Sequence, residues 1–191
     1  MIEKITRVIS TDDVLRISEL HKKNYPDGHL TKYFSKSFLS VYYSYFLHRG
    51  CTLVVDRNLD GEIDGFVLAG KNLADLIREF KKDFKLLIIK ESLLNIRQAL
   101  QSFLLKFKSL LTSSKSIDEA EFLILSIVSD DNTKGVGSRV ISALISESAG
   151  QDLGLYVKVS NIKAINFYLR HGFSIKNYIS GQFYMELSGI V

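Results

Sequence analysis

The chain has 191 residues, 46% hydrophobic and 24% charged, with a formal net charge of +4. That balance suits one globular domain with a proper core and excludes a disordered or low-complexity chain. A single cysteine, Cys51, excludes an intrachain disulfide. Together with an opening MIEKITRVIS that lacks a signal-type apolar run, and no stretch near the ~20 apolar residues that span a bilayer, it points to a cytoplasmic enzyme or binding domain.

The charge is uneven. Residues 71–116 hold ten Lys or Arg against four Asp or Glu, a surplus of +6, so the rest of the chain carries −2. The basic residues alternate with leucines rather than with exposed aromatics, and no nucleic-acid interface is expected from them.

In chain order, KITRVIS alternates as a first strand. TDDVLRISELHKKN then reads as a helix with Thr11 as N-cap and Val14, Ile17 and Leu20 on one face. Pro26 marks a turn in NYPDGH, and SKSFLSVYYSYFLHRG is a second helix stopped at Gly50. Two β-rich runs around Asn58-Leu59-Asp60-Gly61 predict a hairpin. Residues 72–112 are leucine-rich and helical, with Leu93, Ile96, Leu100, Phe103, Phe107 and Leu110 stepping by three and four along one stripe. There follow a strand (EAEFLILSIVS), a glycine loop, a helix (GSRVISALISESAG), a strand (LGLYVKV), a helix from Asn161 to about His171, and two β runs around Gly181.

The glycine loop, NTKGVG, is neither of the two familiar phosphate loops. A Walker loop needs Lys-Ser/Thr after its last glycine, where this chain has Ser138-Arg139; a dinucleotide fingerprint needs a third glycine where it has Val140. What remains is a strand, a loop and a helix whose first turn holds Gly135 and Gly137. Glycines there let backbone N–H groups approach an anion, and the helix dipole favours negative charge at that end. Lys134 and Arg139 would add positive potential. A plain tight turn is the other reading that the loop alone leaves open.

Downstream, NIKAINFYLRHGF spells Asn-x-x-Ala-x-x-Phe-Tyr-x-x-x-Gly-Phe. With NTKGVG ahead of it, the text resembles the GNAT superfamily of acyl-coenzyme A-dependent N-acetyltransferases. That family's motif A is a strand, Gln/Arg-x-x-Gly-x-Gly/Ala and a helix, with Asn132 here in the place of Gln or Arg. Its motif B is matched by Asn161, Ala164, Tyr168, Gly172 and Phe173. The resemblance covers residues 119–188, and the N-terminal part only by its order of elements.

The resemblance implies an α+β three-layer fold: a mixed, mostly antiparallel sheet with helices on both faces, in one acyl-transfer domain over residues 1–191. It implies acetyl-coenzyme A as donor, no metal, and a primary amine of a small molecule, amino sugar or peptide as acceptor. A non-catalytic acyl-coenzyme A-binding domain is the alternative. Tyr168 matches the general acid that protonates the leaving sulfur. Ile127, Val128 and Ser129 match the splayed strand that pairs with pantetheine. Asn132, Lys134, Gly135, Val136, Gly137, Ser138 and Arg139 match the pyrophosphate cradle, and Asn161 and Phe167 the cofactor arm.

An acceptor amine is mostly protonated at neutral pH, so a base or water chain must take its proton. Glu119 and Glu121, at the start of the strand leading to the cofactor, are the candidates, with Glu121 preferred. His29 and Tyr33, in the turn-rich link, are candidates for lining the acceptor pocket. His21 and His48 end helical stretches, where a cation suits the dipole, His171 occupies the exposed end of the motif B helix, and Cys51 reads as a small buried residue. The insertion, about 72–116, is expected as a helical pair. It either packs plainly on the domain or on a second copy in a homodimer, or it walls the acceptor site or touches a membrane surface.

Overall fold

The computed structural model describes residues 1–6, 9–25, 29–94, 120–130, 132–148 and 150–189. Its strands are β1 (Ile2–Thr6), β2 (Thr52–Arg57), β3 (Ile63–Lys71), β4 (Phe122–Ser129), β5 (Leu153–Lys158), β6 (Ser174–Ile179) and β7 (Gln182–Leu187). They form one sheet in the order β1-β2-β3-β4-β5-β7-β6. Every pairing is antiparallel except β4 with β5.

Period-two alternation divides the sheet's side chains between two cores. Leu53, Val55, Phe66 and Leu68 face α1 (Thr11–Asn24) and α2 (Lys36–His48), where they meet Ile17, Leu20, Phe38, Tyr43 and Phe46. Val54, Val67, Leu155 and Met185 face the other way. They meet Val140, Ile141 and Leu144 of α5 (Val136–Glu147) and Ile165 and Tyr168 of α6 (Ile162–Arg170). The three layers are those that the resemblance implies.

Local signals fix the element ends. Ser10, one residue before the expected Thr11, caps α1: its Oγ accepts from the Asp13 amide at 3.1 Å. Ser35 caps α2 in the same way, accepting from Phe38 N at 3.1 Å. The Asn58 side chain closes the β2–β3 turn, accepting from the amides of Asp60 and Glu62, each at 3.0 Å. The first strand begins earlier than expected, at Ile2, where it pairs with Asp56.

The described half of the insertion holds two helices, α3 (Leu73–Asp83) and α4 (Lys85–Leu94). Lys81, Lys82 and Lys90 are exposed, as expected. Phe80 is 4% exposed and inserts its ring among Phe38, Tyr42, Tyr45 and Phe46 of α2. Glu91 is buried and accepts from the Ser35 amide at 2.8 Å and from the Ser35 hydroxyl, so α4 braces the N-terminus of α2. Leu93, the start of the expected stripe, is 64% exposed. The rest of the stripe, with Lys106 and Lys108, lies outside the described residues. Among the described residues no helix is long and apolar enough to cross a membrane.

Candidate active site

β4 and β5 pair over three residues only: Phe122 with Leu153, Leu123 with Gly154, and Ile124 with Leu155. Just beyond Ile124 the β3 register slips, from Ala69↔Ile124 to Leu68↔Ser126, leaving Leu125 as an extra residue in β4. A bulge bends its strand and adds twist. Here it coincides with the point where β4 leaves β5, and a gap opens between residues 125–129 and 156–158.

The main chain lining that gap can be assigned by alternation. The Asp130 amide donates to the Asp64 carbonyl across the β3 side at 2.7 Å. Successive strand residues point their N–H and C=O groups to opposite sides, so Val128 pairs with β3 while Ile127 and Ser129 turn theirs to the gap. Of the three residues expected there, two present main-chain donors; Val128 contributes its side chain to the α1/α2 core.

The glycine loop closes the mouth of the gap. Asp130 accepts from the Asn132 amide at 3.0 Å and pairs with Lys23 at 3.3 Å, and these two interactions hold its carboxyl below the usual range. Thr133 Oγ1 donates to Asp64 at 3.2 Å. Gly135, at φ +80°, caps α5 in a left-handed conformation that glycine adopts without strain. The first intrahelical bond is Arg139 N to Gly135 O at 3.0 Å. The amides of Val136, Gly137 and Ser138 therefore precede the helix's own ladder and are the donors a helix N-terminus offers to an anion.

Arg139, beside Gly135, is already ion-paired. Its guanidinium bonds the buried Asp56 carboxylate twice at 2.6 Å and donates to the Lys134 carbonyl at 3.3 Å. It ties the loop to β2, and both Arg139 and Lys134 are exposed.

From α6, Phe167 lies against the cradle: a Cβ built on Gly137 would stand 3.5 Å from its ring and 3.6 Å from Ser129 Oγ. Strand end, glycine turn and motif B helix thus meet at one point. Asn161 caps α6, accepting from the Ala164 amide at 3.2 Å. Tyr168 follows Phe167 and is 6% exposed, with its ring packed on Phe173 at 5.6 Å. Burial pushes its hydroxyl pKa well above the ordinary phenol value, and the nearby Tyr25 hydroxyl pushes it further. The phenol therefore holds its proton at every working pH.

Glu121 stands elsewhere. It lies at the β5-paired end of β4, six residues from Ile127 and so about 20 Å along the strand, and it is exposed and ion-paired with Lys71 at 3.0 Å. Glu119 lies outside the described residues. His29 precedes the short turn Leu30–Tyr33 and meets the edge of the Tyr25 ring at 4.9 Å, with Tyr33 on the same turn.

Sequence reasoning missed His21. It does end a helix, but it is 2% exposed rather than a solvated cation, and burial lowers its pKa to about 3, with His29 and Lys22 adding to the shift. Tyr25 stacks on it at 3.9 Å. The i, i+4 spacing of His21 and Tyr25 was the available signal. Cys51 is buried as expected, and desolvation raises its thiol to about 12.

No family model matches the chain, and no curated protein matches it. Solved structures do. A histone acetyltransferase HPA2 and related acetyltransferase from Corynebacterium glutamicum superposes with a TM-score of 0.60 at 13% identity, over 100% of this chain and 97% of that one. An N-acetyltransferase from Staphylococcus aureus gives 0.57 at 15% identity, over 98% of each chain. The PaiA N-acetyltransferase from Thermoplasma acidophilum, in complex with coenzyme A, gives 0.56 at 12% identity, over 98% and 99%. The chain has the fold of the GNAT acetyltransferases.

Proposed function

We propose that this chain is an acyl-coenzyme A-dependent N-acyltransferase, with acetyl-coenzyme A as donor and a primary amine as acceptor. The observation that carries this reading is the β4–β5 gap, with the Ile127 and Ser129 main chain on one wall and the glycine cradle of α5 at its mouth. The residues fit such a donor. The amides of Val136, Gly137 and Ser138, with Lys134 nearby, would hold a pyrophosphate, and the strand edge at Ile127 and Ser129 would pair with an amide-bearing arm. The coenzyme A complex of the Thermoplasma protein of the same fold supports the choice of donor.

When bound, the donor supplies an activated thioester; the chain's residues do the rest. The main-chain N–H groups facing the gap polarise the thioester carbonyl as negative charge develops on its oxygen. Tyr168 keeps its proton until a thiolate leaves and then donates it. Phe167 packs over Gly137 and limits the cradle to a thin, extended group. Within this reading Glu121 is too remote for the base, and Arg139 braces the loop. His29 and Tyr33 belong to the acceptor side.

Calorimetric titration with acetyl-coenzyme A and with free coenzyme A tests the reading, followed by thiol release in the presence of a panel of primary amines. Binding with turnover supports it. Binding without turnover on any amine would favour a non-catalytic acyl-coenzyme A-binding domain.

A further inference from the structure

A continuous line of hydrogen-bonding side chains crosses the α1/α2 face of the molecule. Ser126 Oγ, one residue from the gap-facing Ile127, lies 3.4 Å from Tyr43 Oη. Tyr43 Oη lies 2.6 Å from His21 Nδ1, and His21 Nε2 lies 3.0 Å from Thr31 Oγ1. Thr31 Oγ1 in turn lies 3.4 Å from His29 Nδ1. The middle of the line is dry, since Tyr43 is 0% and His21 2% exposed, and it reaches partly exposed residues only at Thr31 and His29.

The hydroxyls and the neutral His21 ring of this line are each both donor and acceptor, as is the His29 ring in its neutral form. Each hydroxyl can do both, and a neutral imidazole carries one N–H and one bare nitrogen. His21 is held neutral, its pKa lowered to about 3 chiefly by burial. The line therefore has two self-consistent polarities. In one, each proton points from Ser126 toward His29; in the other, all are reversed. A row of plain structural hydrogen bonds needs no such symmetry, and a charged or acceptor-only residue anywhere in it would have fixed one direction. Tyr25, stacked on His21 at 3.9 Å, links the middle of the line to Tyr168, whose hydroxyl pKa it helps to raise.

We propose that the line Ser126–Tyr43–His21–Thr31–His29 is the proton exit for the acceptor amine, taking the place of a carboxylate base. The proposal rests on the acyl-transfer reading above. The N–H bond of the bound ammonium breaks and its electron pair stays on nitrogen. The proton goes to Ser126 Oγ as the Ser126 proton passes to Tyr43 Oη. The Tyr43 proton passes to His21 Nδ1, the His21 Nε2 proton to Thr31 Oγ1 and the Thr31 proton to His29 Nδ1, and His29 releases one to water. The freed pair attacks the thioester carbon and the C–S bond breaks. The second amine proton replaces the one Tyr168 gives to sulfur, so the products are amide, thiol and one proton in solvent.

The test uses two near-isosteric cuts, Thr31→Val at the solvent end and Tyr43→Phe at the inner end. The first readout needs no donor: solvent exchange of the His21 ring proton, followed by NMR on the full chain. A conducting line lets that buried proton exchange much faster than core amides, and Thr31→Val should slow it by roughly tenfold or more. Equal exchange in wild type and Thr31→Val overturns the proposal. The second readout is thiol release from acetyl-coenzyme A with butylamine, protonated at pH 8, and with trifluoroethylamine, neutral there. Both cuts should lower turnover of butylamine by about 10²-fold and leave trifluoroethylamine nearly alone. An equal loss on both amines indicates a packing role and overturns the relay. If Tyr43→Phe does not fold, Thr31→Val and Ser126→Ala carry both readouts. Calorimetry with acetyl-coenzyme A on the wild type keeps the questions apart, because failure there removes the acyl-transfer reading while the exchange measurement still decides the line.

Discussion

A Cβ on Gly137 would stand 3.5 Å from the ring of Phe167, at ordinary van der Waals distance. Gly137 is thus not required by crowding in the empty cradle, and its lack of a side chain matters for what enters between it and Phe167. Gly137→Ala should fold normally and weaken acetyl-coenzyme A binding, and Gly137→Val should abolish it while far-UV dichroism stays native. Unchanged calorimetric affinity in the valine variant would remove the cradle assignment.

Tyr168→Phe takes away one hydroxyl and keeps the ring that packs on Phe173. Donor affinity and thermal midpoint should change little. Turnover should fall by about 10²–10⁴, the usual effect of losing a general acid. Steady-state kinetics on any amine the wild type accepts decides between a proton donor and a packing aromatic.

His21 makes a prediction about acid stability. Its folded-state pKa is about 3 against 6.5 for the free side chain. Between those values the unfolded chain binds a proton that the folded one does not. His21 therefore contributes stability in full above about pH 6.5, and loses it as pH falls through that window. The slope approaches about 1.4 kcal/mol per pH unit. Urea unfolding of wild type and His21→Gln between pH 7 and 4 should give curves whose difference narrows steadily toward acid. Parallel curves would mean that His21 is solvated in solution.

The fold was legible because its signals are local. Polar caps, turn residues and alternation set each element, and Gly135, Gly137, Asn161 and Tyr168 could be matched in place by spacing. The gap was expected only through the resemblance, which implies a splayed strand; composition gives no sign of it, since it arises from one unpaired residue, Leu125, in an evenly apolar strand. Nor could the His21–Tyr43–Ser126 line, whose members are 22 and 83 residues apart in sequence. A basic residue beside a phosphate-type loop reads as a ligand, and the sequence does not show that Arg139 is ion-paired. Only the tertiary fold brings Asp56 to it.

For the insertion, the described half argues for tight packing. Phe80→Ala should cost about 3–5 kcal/mol, as large core truncations do, and Glu91→Gln should lower the thermal midpoint by weakening the brace on Ser35. Excising residues 72–116 should expose the aromatic face of α2 around Tyr42, Tyr45 and Phe46, and the product should aggregate. A soluble, cooperatively unfolding product would show that α3 and α4 are dispensable to the core.

The bulge at Leu125 has a consequence for how such a site can change. The opening between β4 and β5 is made by a miscount in the backbone, so no particular side chain has to be kept to hold it apart. The residues lining its two walls are correspondingly free to vary. On the proposed reading, the donor half of the site is written in main-chain amides and is hard to alter by substitution. On the same reading the acceptor half, with Tyr33 near it, is made of side chains and can be rewritten outside the proton line. A laboratory search for new acceptors should therefore randomise around Tyr33, keep Thr31 and His29, and leave the strand untouched.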